Sequence, residues 1–162
     1  MIKLLACLAL LLLTSPLAAK DNLGVFGGWA AFRDPSAPRC YAIAMPAATR
    51  QRQELEPFAT IGTWPRRNLR GQVHFRLARQ LRPGSPVVLE IGGRTFNLTG
   101  GGGDAWAQDR KMDVAILAAM RSAGSMTIRA TDRGGNRFSS TYALDGAATA
   151  MDAATVGCTS RR

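Results

Sequence analysis

Alternation is clearest where Val73, Phe75 and Leu77 are interleaved with His74, Arg76 and Ala78. Successive side chains of a strand point to opposite faces, so this pattern predicts a half-buried strand with one apolar and one charged face. Short apolar runs at 25–32, 39–45 and 58–64 predict strands, the first two ending at the turn formers Asp34-Pro35 and Pro46. Residues 86–91 and 94–98 are joined by Gly92-Gly93, the signature of a hairpin. Two further runs, 126–130 and 138–144, flank the turn-forming cluster Asp132-Arg133-Gly134-Gly135-Asn136. Between these runs, the polar stretch 45–56 predicts an exposed loop and Gly100 to Gly103 a flexible one.

The period changes at 109–123, where Val114, Leu117 and Met120 fall on one stripe with Ile116 beside them and Gly124 follows as a C-terminal cap. That stretch predicts a helix. An Ala-rich segment, 145–154, predicts one or two helical turns that return the chain toward Cys158. Seven or eight short strands with this spacing argue for a mainly β fold, a β-sandwich with one helix (about 109–123) packed at an edge and a short C-terminal helical segment.

The chain opens Met1-Ile2-Lys3, continues with ten apolar residues from Leu4 to Leu13, and passes Pro16 to reach Ala18-Ala19 before Lys20-Asp21. A charged start, an apolar run and small residues at a cleavage site are the layout of a secretory signal peptide, with cleavage expected after Ala19. A spanning helix needs roughly 20 apolar residues, about twice this run. Leu4-Leu5-Ala6-Cys7 has the outline of a lipidation box, but Cys7 precedes the hydrophobic run where a lipidated cysteine would follow it. No second apolar stretch of spanning length follows, so residues 20–162 are expected to form a single soluble domain, periplasmic or secreted. Loss of the leader leaves Cys40 and Cys158, and two cysteines in an oxidising compartment usually pair. The expected Cys40–Cys158 disulfide closes nearly the whole domain.

Charge narrows the partner. Without Lys3 the chain carries twenty basic against eleven acidic residues, a net charge of +9, and eighteen of the basic residues are Arg. Seven of them, Arg66, Arg67, Arg70, Arg76, Arg79, Arg82 and Arg94, fall within 66–94 against the single acid Glu90. Such an excess attracts anionic surfaces with a strength that salt weakens. Nucleic acid is not the expected anion, because the chain is exported and lacks the interleaved aromatic and basic pattern of single-strand binders.

Catalytic chemistry finds little support in the sequence. His74 is the single histidine and is placed on the solvent face of its strand, and one His without free cysteines does not build a zinc site. There is no Gly-x-Ser-x-Gly, and no Gly-Lys-Ser/Thr follows the glycine run. The acids Glu54, Glu56, Glu90, Asp104, Asp109 and Asp113 are scattered, and Asp109 and Asp113 suit the positive end of the helix dipole. Trp29, Trp64 and Trp106 are expected in the core. No catalytic residue, cofactor or metal is therefore expected.

Several short pieces stand in a fixed order: Phe26-Gly27-Gly28-Trp29, Cys40-Tyr41, the run from Val88 to Leu98, Ala105-Trp106, Ala118-Ala119-Met120, Thr141-Tyr142-Ala143-Leu144-Asp145-Gly146 and Cys158. In their order and spacing they resemble the invasion-associated locus B family of exported bacterial proteins. The resemblance covers about residues 25–158 and departs from the family at Gly100 to Gly103 and at Asp145-Gly146-Ala147, where an aromatic commonly follows the glycine. It implies an immunoglobulin-like β-sandwich, export, association with host-cell invasion in some members, and no established activity or cofactor. Two roles follow. The preferred one is a non-enzymatic module that holds an anionic surface, lipopolysaccharide or an acidic glycan, through the arginines. The alternative is a periplasmic inhibitor or accessory protein that docks another protein through loops 51–56 and 100–105; a hydrolase comes last.

Overall fold

The computed structural model describes residues 19–159, so the expected leader lies outside the described residues except for Ala19. Ten strands form: β1 (Asp21–Phe26), β2 (Trp29–Asp34), β3 (Arg39–Ala44), β4 (Phe58–Trp64), β5 (Leu69–Arg76), β6 (Val87–Ile91), β7 (Arg94–Gly101), β8 (Asp104–Trp106), β9 (Ser125–Thr131) and β10 (Arg137–Ala143). Helix α1 (Arg110–Met120) follows β8, and α2 (Ala147–Thr159) follows β10.

The strands pair antiparallel in the order β1-β2-β3-β4-β5-β8-β7-β6-β9-β10. The long β7 pairs with β6 through Arg94 to Leu98 and with β8 through Thr99 to Gly101, and so belongs to two layers. One layer holds β1 to β5 with β8; the other holds β6, β7, β9 and β10. Their inner faces meet where the Phe75 and Tyr142 rings lie 5.9 Å apart. The fold is therefore mainly β and sandwich-like, as the spacing of the apolar runs leads one to expect.

Alternation decides the inner faces. Trp29, Ala31, Ala42, Ala44, Ala59, Ile61, Val73, Phe75 and Ala105 are buried on one layer, and Val87, Leu89, Ile91, Met126, Ile128, Phe138 and Tyr142 on the other. Trp29 joins the layers, its indole N–H donating to the Ala143 carbonyl at 2.9 Å. Tyr142 is fully buried and its hydroxyl has no hydrogen-bond partner among the described residues, while burial pushes the phenol pKa up. A buried hydroxyl without a partner costs desolvation and returns nothing. Tyr142→Phe is therefore expected to raise stability by about 1 kcal/mol, seen as a higher urea midpoint at unchanged slope; a lower midpoint would show that the hydroxyl is paired.

Several elements differ from expectation for local reasons. The run 25–32 is two strands, because Gly27, at φ 55°, turns the chain between β1 and β2. The glycine run is no flexible loop: β7 continues to Gly101 and β8 returns at Asp104. Any Cβ on Gly100 would lie 2.7 Å from both Leu81 and Val87, so glycine lets the backbone press onto the core. Asp109 lies at the start of α1, the dipole end expected for it, and its side chain caps the Met112 N–H, but Asp113 accepts from the Val73 N–H at 2.8 Å and so ties the helix to β5. Burial raises the Asp113 pKa against that bond. The buried side of α1 is Ile116, Ala119 and Met120, whereas Val114 is 61% exposed. The helix ends at Met120 with Arg121 as its C-cap, short of Gly124. The C-terminal segment is a thirteen-residue helix rather than one or two turns. It lies on β1 to β4 through Ala147, Ala150, Met151 and Ala154.

Candidate functional site

Cys158, near the end of α2, is bonded to Cys40 on the inner face of β3, with Cα atoms 5.7 Å apart. The disulfide thus fixes the C-terminal end of α2 to the end of the first layer where β2 stops and β3 begins. At the same end the β4–β5 hairpin closes. Pro65 opens a short 3-10 turn, Pro65–Arg67, and Asn68 closes it in the left-handed region, at φ 52°, with its N–H bonded to the Pro65 carbonyl at 3.2 Å. Asn is one of the few side chains that takes this conformation readily. The turn leaves Arg66, Arg67 and Arg70 exposed within five residues, and none has an ion pair among the described residues.

Beside this tip is a cleft of about 570 Å³ lined by Arg66, Arg33, Arg39, Asp21, Asp34, Gly157 and Cys158. A smaller one of about 280 Å³, lined by Arg70, Thr63, Pro65, Cys158 and Thr159, shares its Pro65 and Cys158 wall. The acids here are already engaged. Asp21 takes the Arg33 guanidinium, with Nε at 2.7 Å, and Asp34 takes the Ser36 hydroxyl at 2.5 Å and the Ala37 N–H at 3.2 Å. The Ser36 bond, with Ala37 and the nearby Arg39, holds the Asp34 carboxyl below its ordinary pKa against the effect of burial. Arg39 lies over the Tyr41 ring at 4.7 Å, its Nε buried and 3.7 Å from Asp34. Among the described residues these pairs leave no acid for Arg66 at the larger cleft, Arg70 at the smaller one, or Arg67 between them in sequence. Arg33 and Arg39 escape a sequence reading centred on 66–94, because only the β2–β3 fold brings them beside the tip.

The other four arginines do not join this group. Arg76 donates to Asp104 at 2.6 Å on the outer face of the first layer. Arg79 donates to Asp132 at 2.9 Å, its side chain only 14% exposed. Arg82 lies in the β5–β6 connection beside Gly135 of the β9–β10 turn, and Arg94 covers the Phe96 ring at the β6–β7 hairpin. The seven therefore form no single patch. Loops 51–56 and 100–105 are tied down rather than free: Glu54 and Leu55 donate to the Ala78 carbonyl, and Leu55 packs over Gly103.

The Arg79 bond, with the Asn136 N–H, holds the Asp132 carboxyl below its ordinary pKa. A lowered carboxyl stabilises the fold above its unfolded pKa of about 3.9 and loses that contribution as pH falls through the folded value. Asp132→Asn should then melt well below wild type at neutral pH and approach it below about pH 4. An unchanged gap across melting curves over that range would remove the ion pair as the cause.

His74 lies on the outer face, as expected, yet it is half-buried and engaged. Its Nε2 meets Asp104 Oδ1 at 2.9 Å, its Nδ1 meets Thr60 Oγ1 at 3.3 Å, and its ring stacks on Trp106 with centroids 5.3 Å apart. The network braces β4, β5 and β8 across the face. Trp29 is in the core as expected, but Trp64 and Trp106 are half-buried on this outer face, with the Trp64 indole filling the space above Gly62. Among the described residues no group of three or more His, Cys, Asp and Glu is arranged to hold a metal.

The fold is similar to that of a solved structure, invasion associated protein B from Bartonella henselae, with a TM-score of 0.59 over 82% of this chain and 95% of that one. The two chains share a fold. They are 13% identical, so the likeness extends to the fold alone. No protein-family model matches the chain, and no curated protein matches it.

Proposed function

We propose that the protein is an exported, non-enzymatic binding module of the invasion-associated locus B type that holds an anionic surface at its disulfide end. The observation that carries this reading is the β4–β5 tip, where Arg66, Arg67 and Arg70 are exposed and without ion pairs among the described residues, beside a cleft whose acids are already engaged. The Cys40–Cys158 bond supports export, because such bonds persist in oxidising compartments. Among the described residues no helix is long and apolar enough to cross a membrane. Opposite charges brought together at an exposed site attract over roughly 10 Å at ordinary ionic strength and over less as salt rises. Binding to heparin and to anionic liposomes should therefore weaken steadily across a salt titration. An affinity that does not move with salt would exclude this role.

A further inference from the structure

The outer face of β2, β3, β4, β5 and β8 continues from the arginine tip and is rich in rings. Strand register places Phe32, Tyr41, Gly62 and Gln72 in one row, with the Trp64 indole lying over Gly62. The next row is Ala30, Ile43, Thr60, His74 and Trp106, and a third holds Phe58, Arg76 and Asp104. Phe32, Phe58, Trp64 and Trp106 are half-buried, each leaving part of its ring to solvent. With the Trp64 indole lying over Gly62, ordinary strand spacing puts it about 12 Å from the Trp106 position, a length that a short oligosaccharide covers.

The polar groups between the rings select the occupant. A lipid surface would have to bury the Arg76–Asp104 ion pair and His74 in a low-dielectric layer, which is costly. Sugar rings, by contrast, present apolar C–H faces to aromatic rings and hydroxyls to groups such as Gln72, Thr60 and Asp104. Tyr41, beneath Arg39, and Trp64, next to Pro65, connect this face directly to the basic tip. We infer that the face binds an acidic oligosaccharide, its rings stacked on Trp64 and Trp106 and its carboxylates held by Arg66, Arg67 and Arg70. The inference rests on the anionic-surface reading and names its ligand class.

The intact disulfide-bonded protein tests it with three probes: oligogalacturonate, polyphosphate as an anion without rings, and phosphatidylglycerol vesicles. Trp29 is fully buried, so acrylamide quenching of the wild-type protein reports on Trp64 and Trp106. Oligogalacturonate should protect that fluorescence and polyphosphate should not. Trp64→Ala and Trp106→Ala should each weaken oligogalacturonate binding by about tenfold while leaving polyphosphate binding unchanged. Binding of both anions without protection overturns the inference and leaves the basic tip intact as a site. Protection by vesicles alone overturns it in favour of a membrane surface, and binding of none of the three removes the anionic reading itself.

Discussion

Replacing both Cys40 and Cys158 by alanine is expected to lower stability by about 4 to 5 kcal/mol. The bond joins residues 118 apart in sequence, and tying so long a loop removes much of the freedom of the unfolded chain. Noncovalent contacts at this end offer partial compensation: α2 rests on β1 to β4 mostly through alanines, whose small side chains bury little area each. For a domain of this size the loss corresponds to a fall of about 10 to 20 °C in melting temperature. The urea slope should rise, because the unfolded variant expands further than the cross-linked chain. A melting point within about 3 °C of wild type would show that α2 is held without its covalent tie. The same variant should also lose affinity at the tip, since Gly157 and Cys158 line the cleft beside Arg66.

The sequence made the strands legible where alternation is strict, as at Val73 and Phe75, and the helix start where Asp109 caps it. It hid elements whose cause lies in a distant neighbour. Gly92-Gly93 reads as a turn between β-branched runs, whereas Gly27-Gly28, flanked by aromatics, looks like the middle of one strand until Gly27 is seen against Asp145, where a Cβ would come within 2.4 Å. Helix α2 offers little periodicity because its buried and exposed positions are both largely small residues. The charge pattern misled in a similar way. Arg76 and Arg79 look like members of a basic run, but Asp104 and Asp132, 28 and 53 positions away, neutralise them in the folded chain. Three arginines at the tip survive that test, and Arg33 and Arg39 join them only through the β2–β3 fold.

The second large effect concerns those three residues. An arginine near an anionic surface contributes about 1 kcal/mol, so Arg66→Gln, Arg67→Gln and Arg70→Gln together should cost about 3 kcal/mol. That is roughly a hundredfold loss of affinity for heparin at low salt, without a change in melting temperature, because none of the three is buried or ion-paired among the described residues. The effect should shrink as salt rises, since screening removes the attraction from wild type and variant alike.

The decisive comparison removes the same charge elsewhere. Arg82, Arg94 and Arg133 are also exposed and without ion pairs among the described residues, but they lie away from the β4–β5 tip. Heparin affinity of the two triple glutamine variants, measured side by side at low salt, should fall about a hundredfold for the tip and only severalfold for the control. Equal losses in the two variants would mean that net charge, and no local site, attracts the anion.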